Sequence, residues 1–316
     1  MSSTACPLDV VITKEHRRFA EFCDACRRYG YIGLCYGPPG VGKTLSARHY
    51  ANWNRVEAYS PSSPASDAEL AALIGSHTVF YTSKVVHSPR QIEHDIQQWR
   101  HRLRAIPLEA ICREEEGTLE LARQQDEVSK HAFFLQTLNT LYATPSERPA
   151  RPESMVEQVV KTYAQRRAAT PEPTTLLMID ETDRLQTASL EQVRDIFDQG
   201  GIGVVLIGMP GLEKRLSRYP QLYSRVGFVH EFRPLSAEEV RDLFHHQWAP
   251  SGVVLPEEGL HDEEVLASII RITGGNFRLL HRLLTQIARL VEINVLSQVT
   301  REVVEAAREN LVIGTV

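Results

Sequence analysis

The sequence predicts an α/β fold: a parallel, doubly wound sheet with a helical insertion, followed by a small C-terminal helical lid. Three observations carry that expectation. Short apolar runs alternate with helix-compatible stretches through most of the chain, the pattern of sheets built from βαβ units. The first run leads into Gly37-Pro38-Pro39-Gly40-Val41-Gly42-Lys43-Thr44, which fits the phosphate-loop pattern G-x-x-x-x-G-K-[ST] without a mismatch. From Ser236 onward only helical periodicity remains.

In chain order, Phe19, Phe22, Cys23 and Cys26 recur at helical spacing and predict a helix over 14–28. Ile32-Gly33-Leu34-Cys35-Tyr36 is the first strand, and Leu45-Ser46-Ala47-Arg48-His49-Tyr50 begins the helix after the loop. Further strands are expected at 79–81, 176–179, 203–207 and 228–232, with helices in the gaps. Asp180 lies 136 positions after Thr44, more than two helices and a strand require, so an insertion of about 84–172 is implied. Within it, Arg90, His94, Gln97, His101 and Arg104 share one helical face, while Ile92, Ile96, Trp99, Leu103 and Ile106 share another. This is an amphipathic helix with a basic stripe. A second helical stretch is expected over 119–141, and the Pro-rich segment 144–152 reads as a mobile connection. Ser236 and Glu239 fit a capping box at the lid's start, with helices over 267–272, 277–291 and 301–310. The domains are then 1–235, the nucleotide-binding part, and 236–316, the lid.

The loop predicts a nucleoside triphosphate site. Its glycines let successive N–H groups and the positive end of the next helix face an anion. Lys43 would reach the β/γ-phosphates and Thr44 would place its hydroxyl on Mg²⁺. The acidic counterpart is Leu176-Leu177-Met178-Ile179-Asp180-Glu181, an apolar strand ending in two carboxylates, as in a Walker B strand. Such a run suits a sheet covered on both faces, with its C-terminal end at the ligand edge. Asp180 would hold Mg²⁺, and Glu181 would orient and polarise the attacking water. A carboxylate directly after the Walker B aspartate favours water as acceptor, hence hydrolysis over phosphotransfer.

With 316 residues, 42% hydrophobic and 24% charged, the chain has room for one large core and a smaller one. No uninterrupted apolar run approaches the ~20 residues that span a bilayer. The N-terminus lacks a charged n-region and a long apolar h-region, so a cytoplasmic protein without membrane contact is expected. Five cysteines, Cys6, Cys23, Cys26, Cys35 and Cys112, supply a single C-x-x-C pair and no zinc set; reduced thiols are expected, with Cys23 and Cys26 on a helix face. A net charge of −5 argues against bulk electrostatic coating of nucleic acid, though not against a local basic track. Arg90, Arg100 and Arg104 are the candidates for such a track on DNA; the alternative is a solvated helix face.

The phosphate loop, the Asp-Glu strand, a sensor-like strand and a helical lid, in this order, resemble an AAA+ ATPase over most of the chain. Leu206-Ile207-Gly208-Met209-Pro210-Gly211-Leu212-Glu213-Lys214-Arg215-Leu216, with Tyr223-Ser224-Arg225-Val226 and Phe232-Arg233-Pro234-Leu235, resembles the TniB/MuB-type transposition ATPases and the related ExeA-like group. The resemblance implies ATP with Mg²⁺, a ring or filament of identical subunits on double-stranded DNA, and a transposase partner recruited or activated at target DNA. A protein-directed ATPase of signalling or secretion is the alternative, with insertion helices that bind protein. Adenine over guanine is part of the resemblance, since no N-K-x-D segment occurs. Arg278 resembles the sensor-2 arginine, and Arg225 an arginine finger offered to a neighbouring subunit, with Arg215 and Arg218 as competitors. One departure stands out: the fourth strand runs into Gly208-Met209-Pro210, with no hydroxyl or amide at the sensor-1 position. Slow turnover, with ATP acting mainly as an assembly switch, is expected from it.

Overall fold

The computed structural model describes residues 11–63, 65–86, 88–139, 154–245, 248–250, 253–256 and 262–311. The chain begins with α1 (Lys14–Tyr29), β1 (Ile32–Tyr36), α2 (Lys43–Tyr50), α3 (Trp53–Ala58), α4 (Asp67–Leu73) and β2 (Thr78–Thr82). Then come α5 (Pro89–Asn139), α6 (Met155–Ala169), β3 (Leu176–Asp180), a 3-10 turn (Thr182–Arg184), α7 (Thr187–Asp198) and β4 (Gly203–Gly208). The remainder is α8 (Leu212–Leu216), α9 (Pro220–Tyr223), β5 (Val226–Glu231), α10 (Ala237–His245), α11 (Glu263–Thr273), α12 (Phe277–Ile293) and α13 (Arg301–Glu309).

All five strands pair in parallel, in the order β2-β3-β4-β1-β5. The predicted α/β sheet is therefore present. Every residue of β3 is buried, as its continuous apolar run requires, and each such aliphatic side chain contributes roughly 2 kcal/mol on leaving water. Registers of Tyr36 with Gly208 and of Ile179 with Leu206 bring the C-terminal ends of β1, β4 and β3 to one edge. The phosphate loop and the Asp-Glu pair are thereby neighbours, although far apart in sequence.

The chain divides into two compact units, Met1–Asn54 with Thr78–Ile96 and Thr175–Val316, and Arg55–His77 with Gln97–Thr174. In the first, the sheet is joined by the C-terminal helices, whose own core includes Val240, Leu266, Ile269, Leu280, Leu284 and Ile287. The capping box before α10 is formed: Ser236 N–H donates to Glu239 Oε2 at 3.0 Å and Glu239 N–H to Ser236 Oγ at 3.2 Å.

The second unit holds most of α5 and all of α6. Burial along α5 follows the predicted amphipathic pattern, with Ile92, Ile96, Leu103 and Ile106 buried and Arg90, His94, His101 and Arg104 exposed. Two expectations change. The insertion's two helical stretches are one helix, which continues through Pro107. The ring removes one backbone bond, but contacts on either side hold the helix: Leu103 and Ile106 are buried, Tyr59 Oη donates to Glu109 at 2.7 Å, and Arg113 pairs with Asp67 at 2.7 Å. Helix α6 lies within the expected helical insertion but was not singled out in the sequence. Its N-terminus is capped by Asp126 of α5, whose carboxylate accepts from Met155 N–H at 2.7 Å and Ser154 Oγ at 2.6 Å. Arg166 near its other end pairs with Glu114 at 2.6 Å and Glu115 at 2.5 Å. The segment 144–152 and Cys6 lie outside the described residues.

Cys23, Cys26 and Cys35 are free and buried, whereas Cys112 is half-buried. Burial pushes the Cys26 thiol up to about 12 and raises Cys23 and Cys35 as well. Iodoacetamide at pH 8 is therefore expected to alkylate Cys112 in the folded protein and spare these three. Peptide mass spectrometry checks this, and labelling of Cys35 at the Cys112 rate would contradict it.

Candidate functional site

The phosphate loop turns from β1 into α2 with Gly42 at φ 109, a conformation glycine adopts without a Cβ penalty. Lys43, the first residue of α2, donates from Nζ to Gly37 O at 2.6 Å and to Pro38 O at 2.8 Å. Its ammonium is thus folded onto its own loop, and burial lowers its pKa below the ordinary value. Thr44 Oγ1 donates to Asp180 Oδ2 at 2.6 Å, which joins the two nucleotide motifs directly. Asp180 is buried; burial raises its pKa, and the Thr44 hydrogen bond opposes the shift. A hydroxyl beside a buried carboxylate is a hard-oxygen pair, the donor chemistry that suits Mg²⁺.

Glu181 has φ 54 and ψ 40, left-handed backbone that a non-glycine residue occupies only under local constraint. The constraint is visible. Its N–H donates to Asp180 Oδ1 at 2.9 Å, and Arg215 of α8 spans the turn that follows, donating to Asp183 O at 2.7 Å and to Leu185 O. The Glu181 carboxylate is half exposed and lies 3.8 Å from Arg184.

Lys43, Thr44, Asp180 and Glu181 line a cleft of about 690 Å³, and Arg278 and Phe277 of α12 line it too. Helix α12 starts on the phosphate loop itself. Asn276 caps it, accepting from Arg278 N–H at 3.1 Å, and donates from Nδ2 to Pro39 O at 2.8 Å, while Arg278 N–H also donates to Gly40 O at 2.9 Å. The Arg278 side chain is exposed, with no polar partner among the described residues. His281 and Arg282 line the same cleft and were missed in the sequence. Their spacing of three and four from Arg278 was the available signal.

At the end of β4 the expectation changes. Met209 offers no polar side chain, but its N–H donates to Asp183 Oδ2 at 2.7 Å, so a carboxylate from the turn after β3 stands at that strand end.

The three finger candidates separate. Arg225 does not line the cleft; it forms a two-pronged ion pair with Asp198, Nε to Oδ1 at 2.5 Å and Nη2 to Oδ2 at 2.7 Å. Arg215 is committed to the turn carbonyls. Arg218 is exposed, without a polar partner among the described residues. Of the DNA candidates, Arg90 belongs to the first unit, Arg100 and Arg104 to the second. Arg100 lies 3.9 Å from Glu172. Arg104 and Arg167 border a groove floored by Ala105, Leu108 and Val160.

A family model described as "AAA domain" matches residues 26–216. A Staphylococcus aureus protein named "Potential ATP-binding protein" is 38% identical over 305 residues, covering 96% of each chain. Among solved structures, the Aeropyrum pernix ORC2 protein in its ADPNP-ADP complexes superposes with a TM-score of 0.51 at 12% identity, over 97% of this chain and 70% of that one. Its ADP form gives 0.50 at 14% identity, over 98% and 71%. The Aeropyrum pernix ORC1 protein in complex with DNA is matched at 19% identity and a TM-score of 0.48, over 95% of this chain and 66% of its own length.

Proposed function

Because the chain belongs to the AAA domain family and carries its ATP-binding module, we propose that it hydrolyses ATP as an oligomeric, DNA-associated regulator of transposition. The observation that carries the hydrolytic reading is the contact of Thr44 with Asp180, with Glu181 beside it in the cleft. Loop N–H groups and Lys43, released from Gly37 and Pro38, would hold the β/γ-phosphates. Thr44 and Asp180 would hold Mg²⁺, which neutralises charge on those oxygens. Glu181 takes the proton of the attacking water. The base would lie beside the loop against Thr13, Val41, Leu45, Phe232, Leu235 and Phe277, whose hollow of about 20 Å³ would have to widen to admit it. The lid, 236–316, would report the γ-phosphate through Arg278.

Oligomerisation rests on the sequence resemblance, which implies an arginine offered to a neighbour's cleft; Arg225 lies outside its own cleft and would leave its ion pair with Asp198 to fill that role. The DNA and transposase parts rest on the resemblance of the 206–235 segment to TniB/MuB-type proteins and on the exposed Arg90 and Arg104.

Arg225→Ala is expected to lower the assembled turnover rate by about 100-fold with ATP binding retained. Mixing Arg225→Ala with Glu181→Gln subunits should restore part of the rate, since each supplies what the other lacks. If Arg225→Ala keeps the wild-type rate and Arg218→Ala shows the loss instead, Arg218 is the finger. Electron microscopy with an ATP analogue, with and without duplex DNA, tests the whole reading. Rings or filaments that need both ligands, with DNA affinity falling steeply with salt, are expected. ATP-dependent assembly indifferent to DNA points to a protein-directed ATPase, and a monomer in every condition overturns the proposal.

A further inference from the structure

We infer that Asp183 is a third carboxylate of the hydrolytic site, one that holds the attacking water together with Glu181; this rests on the hydrolytic reading above. The carboxylate arrives at the end of β4 because the turn after β3 folds back, and three features keep it there. Met209 N–H donates to Oδ2 at 2.7 Å. The residue's own carbonyl accepts from Arg215 Nη1 at 2.7 Å, which fixes the backbone that carries it. Gly208 makes the room: a Cβ on residue 208 would stand 2.5 Å from Asp183 Oδ2, a distance no real Cβ contact tolerates. Oδ1 has no protein partner among the described residues, and Asp183 lines the cleft together with Lys43, Thr44, Asp180 and Glu181.

One oxygen anchored and the other unpaired in a nucleotide cleft is the arrangement of a water acceptor. A carboxylate accepts hydrogen bonds from water but not from a phosphate oxygen, so it selects the nucleophile and not the γ-phosphate. In the step, the water oxygen bonds to Pγ and the bond from Pγ to the bridging β-oxygen breaks. One water proton passes to Glu181, and the other, held by Asp183 Oδ1, stays on the phosphate product; ADP departs with the bridging oxygen. The proton on Glu181 then leaves to solvent. The cations Lys43, Arg278 and Arg282 around the cleft offset the third negative charge.

Asp183→Asn is the informative variant, because its amide oxygen can still accept from Met209 N–H while the second position now donates. Phosphate release at saturating ATP, with and without duplex DNA, is expected to fall by about 10- to 100-fold. KM and ATP affinity should be unchanged or tighter, since a negative charge has left the phosphate site. Gly208→Ala, which displaces the carboxylate, should show the same split, and the double variant should be no slower than the slower single. A wild-type rate in Asp183→Asn overturns the inference and leaves a carboxylate that only ends a strand. Equal losses in affinity and thermal stability in both variants overturn it as well. Absence of turnover in the wild type overturns the hydrolytic reading and this inference with it.

Discussion

Glu181→Gln is expected to slow ATP hydrolysis by about 1,000-fold while ATP binding and ATP-dependent assembly persist. Gln has nearly the shape of Glu and keeps the left-handed backbone held by the Asp180 hydrogen bond, so Thr44 and Asp180 keep their contact. What is lost is the group that takes a proton from water. Phosphate release under saturating ATP, paired with equilibrium binding of ATP, separates the two effects. A variant that hydrolyses at the wild-type rate removes Glu181 from the mechanism and leaves Asp183 as the remaining carboxylate able to act. Slow wild-type turnover was expected because Met209 is apolar; the inferred role of Asp183 at the same strand end predicts faster turnover, and the wild-type rate decides between the two.

The nucleotide motifs were legible because their information is local. Glycine spacing, the Lys43-Thr44 pair and an apolar run ending in Asp180-Glu181 are each contained in a few residues. All five strands could be read for the same reason, to within two residues at either end, except that their order in the sheet depends on long-range pairing the sequence does not print. Asp183 was overlooked because its role is made by three segments meeting: a turn after β3, the end of β4 at Gly208-Met209, and Arg215 of α8. The same holds for Arg215, which as a lone arginine was a finger candidate and in place is a brace. Helix α6 did leave a local mark, Ser154 with Glu157 three residues on, and Ser154 Oγ accepts from Glu157 N–H at 3.4 Å. It went unread because the capping signal follows a Pro-rich segment that suggested a linker. Pro107 is the converse: the long helix survives it because side chains before and after it are tied down.

Gly275→Ala is expected to destabilise the protein by roughly 3 kcal/mol and to uncouple the lid from the phosphate loop. Two terms add. At φ 74 a Cβ is strained by about 1 kcal/mol, and the new methyl would stand 1.9 Å from Leu235 O, so the backbone leading into the lid must move. That movement breaks the bond from Leu235 N–H to Gly275 O, 2.9 Å long, and shifts Asn276 and Arg278, whose contacts with Pro39 and Gly40 seat α12 on the phosphate loop. Gly274→Ala is the control. It has φ 55 but open space around its Cβ position, so only the conformational term applies. Urea unfolding of the two variants isolates the steric part, and ATP affinity should fall in Gly275→Ala alone. Equal midpoints for both would mean that the loop between α11 and α12 yields freely, and that the seat of α12 on the phosphate loop does not depend on it.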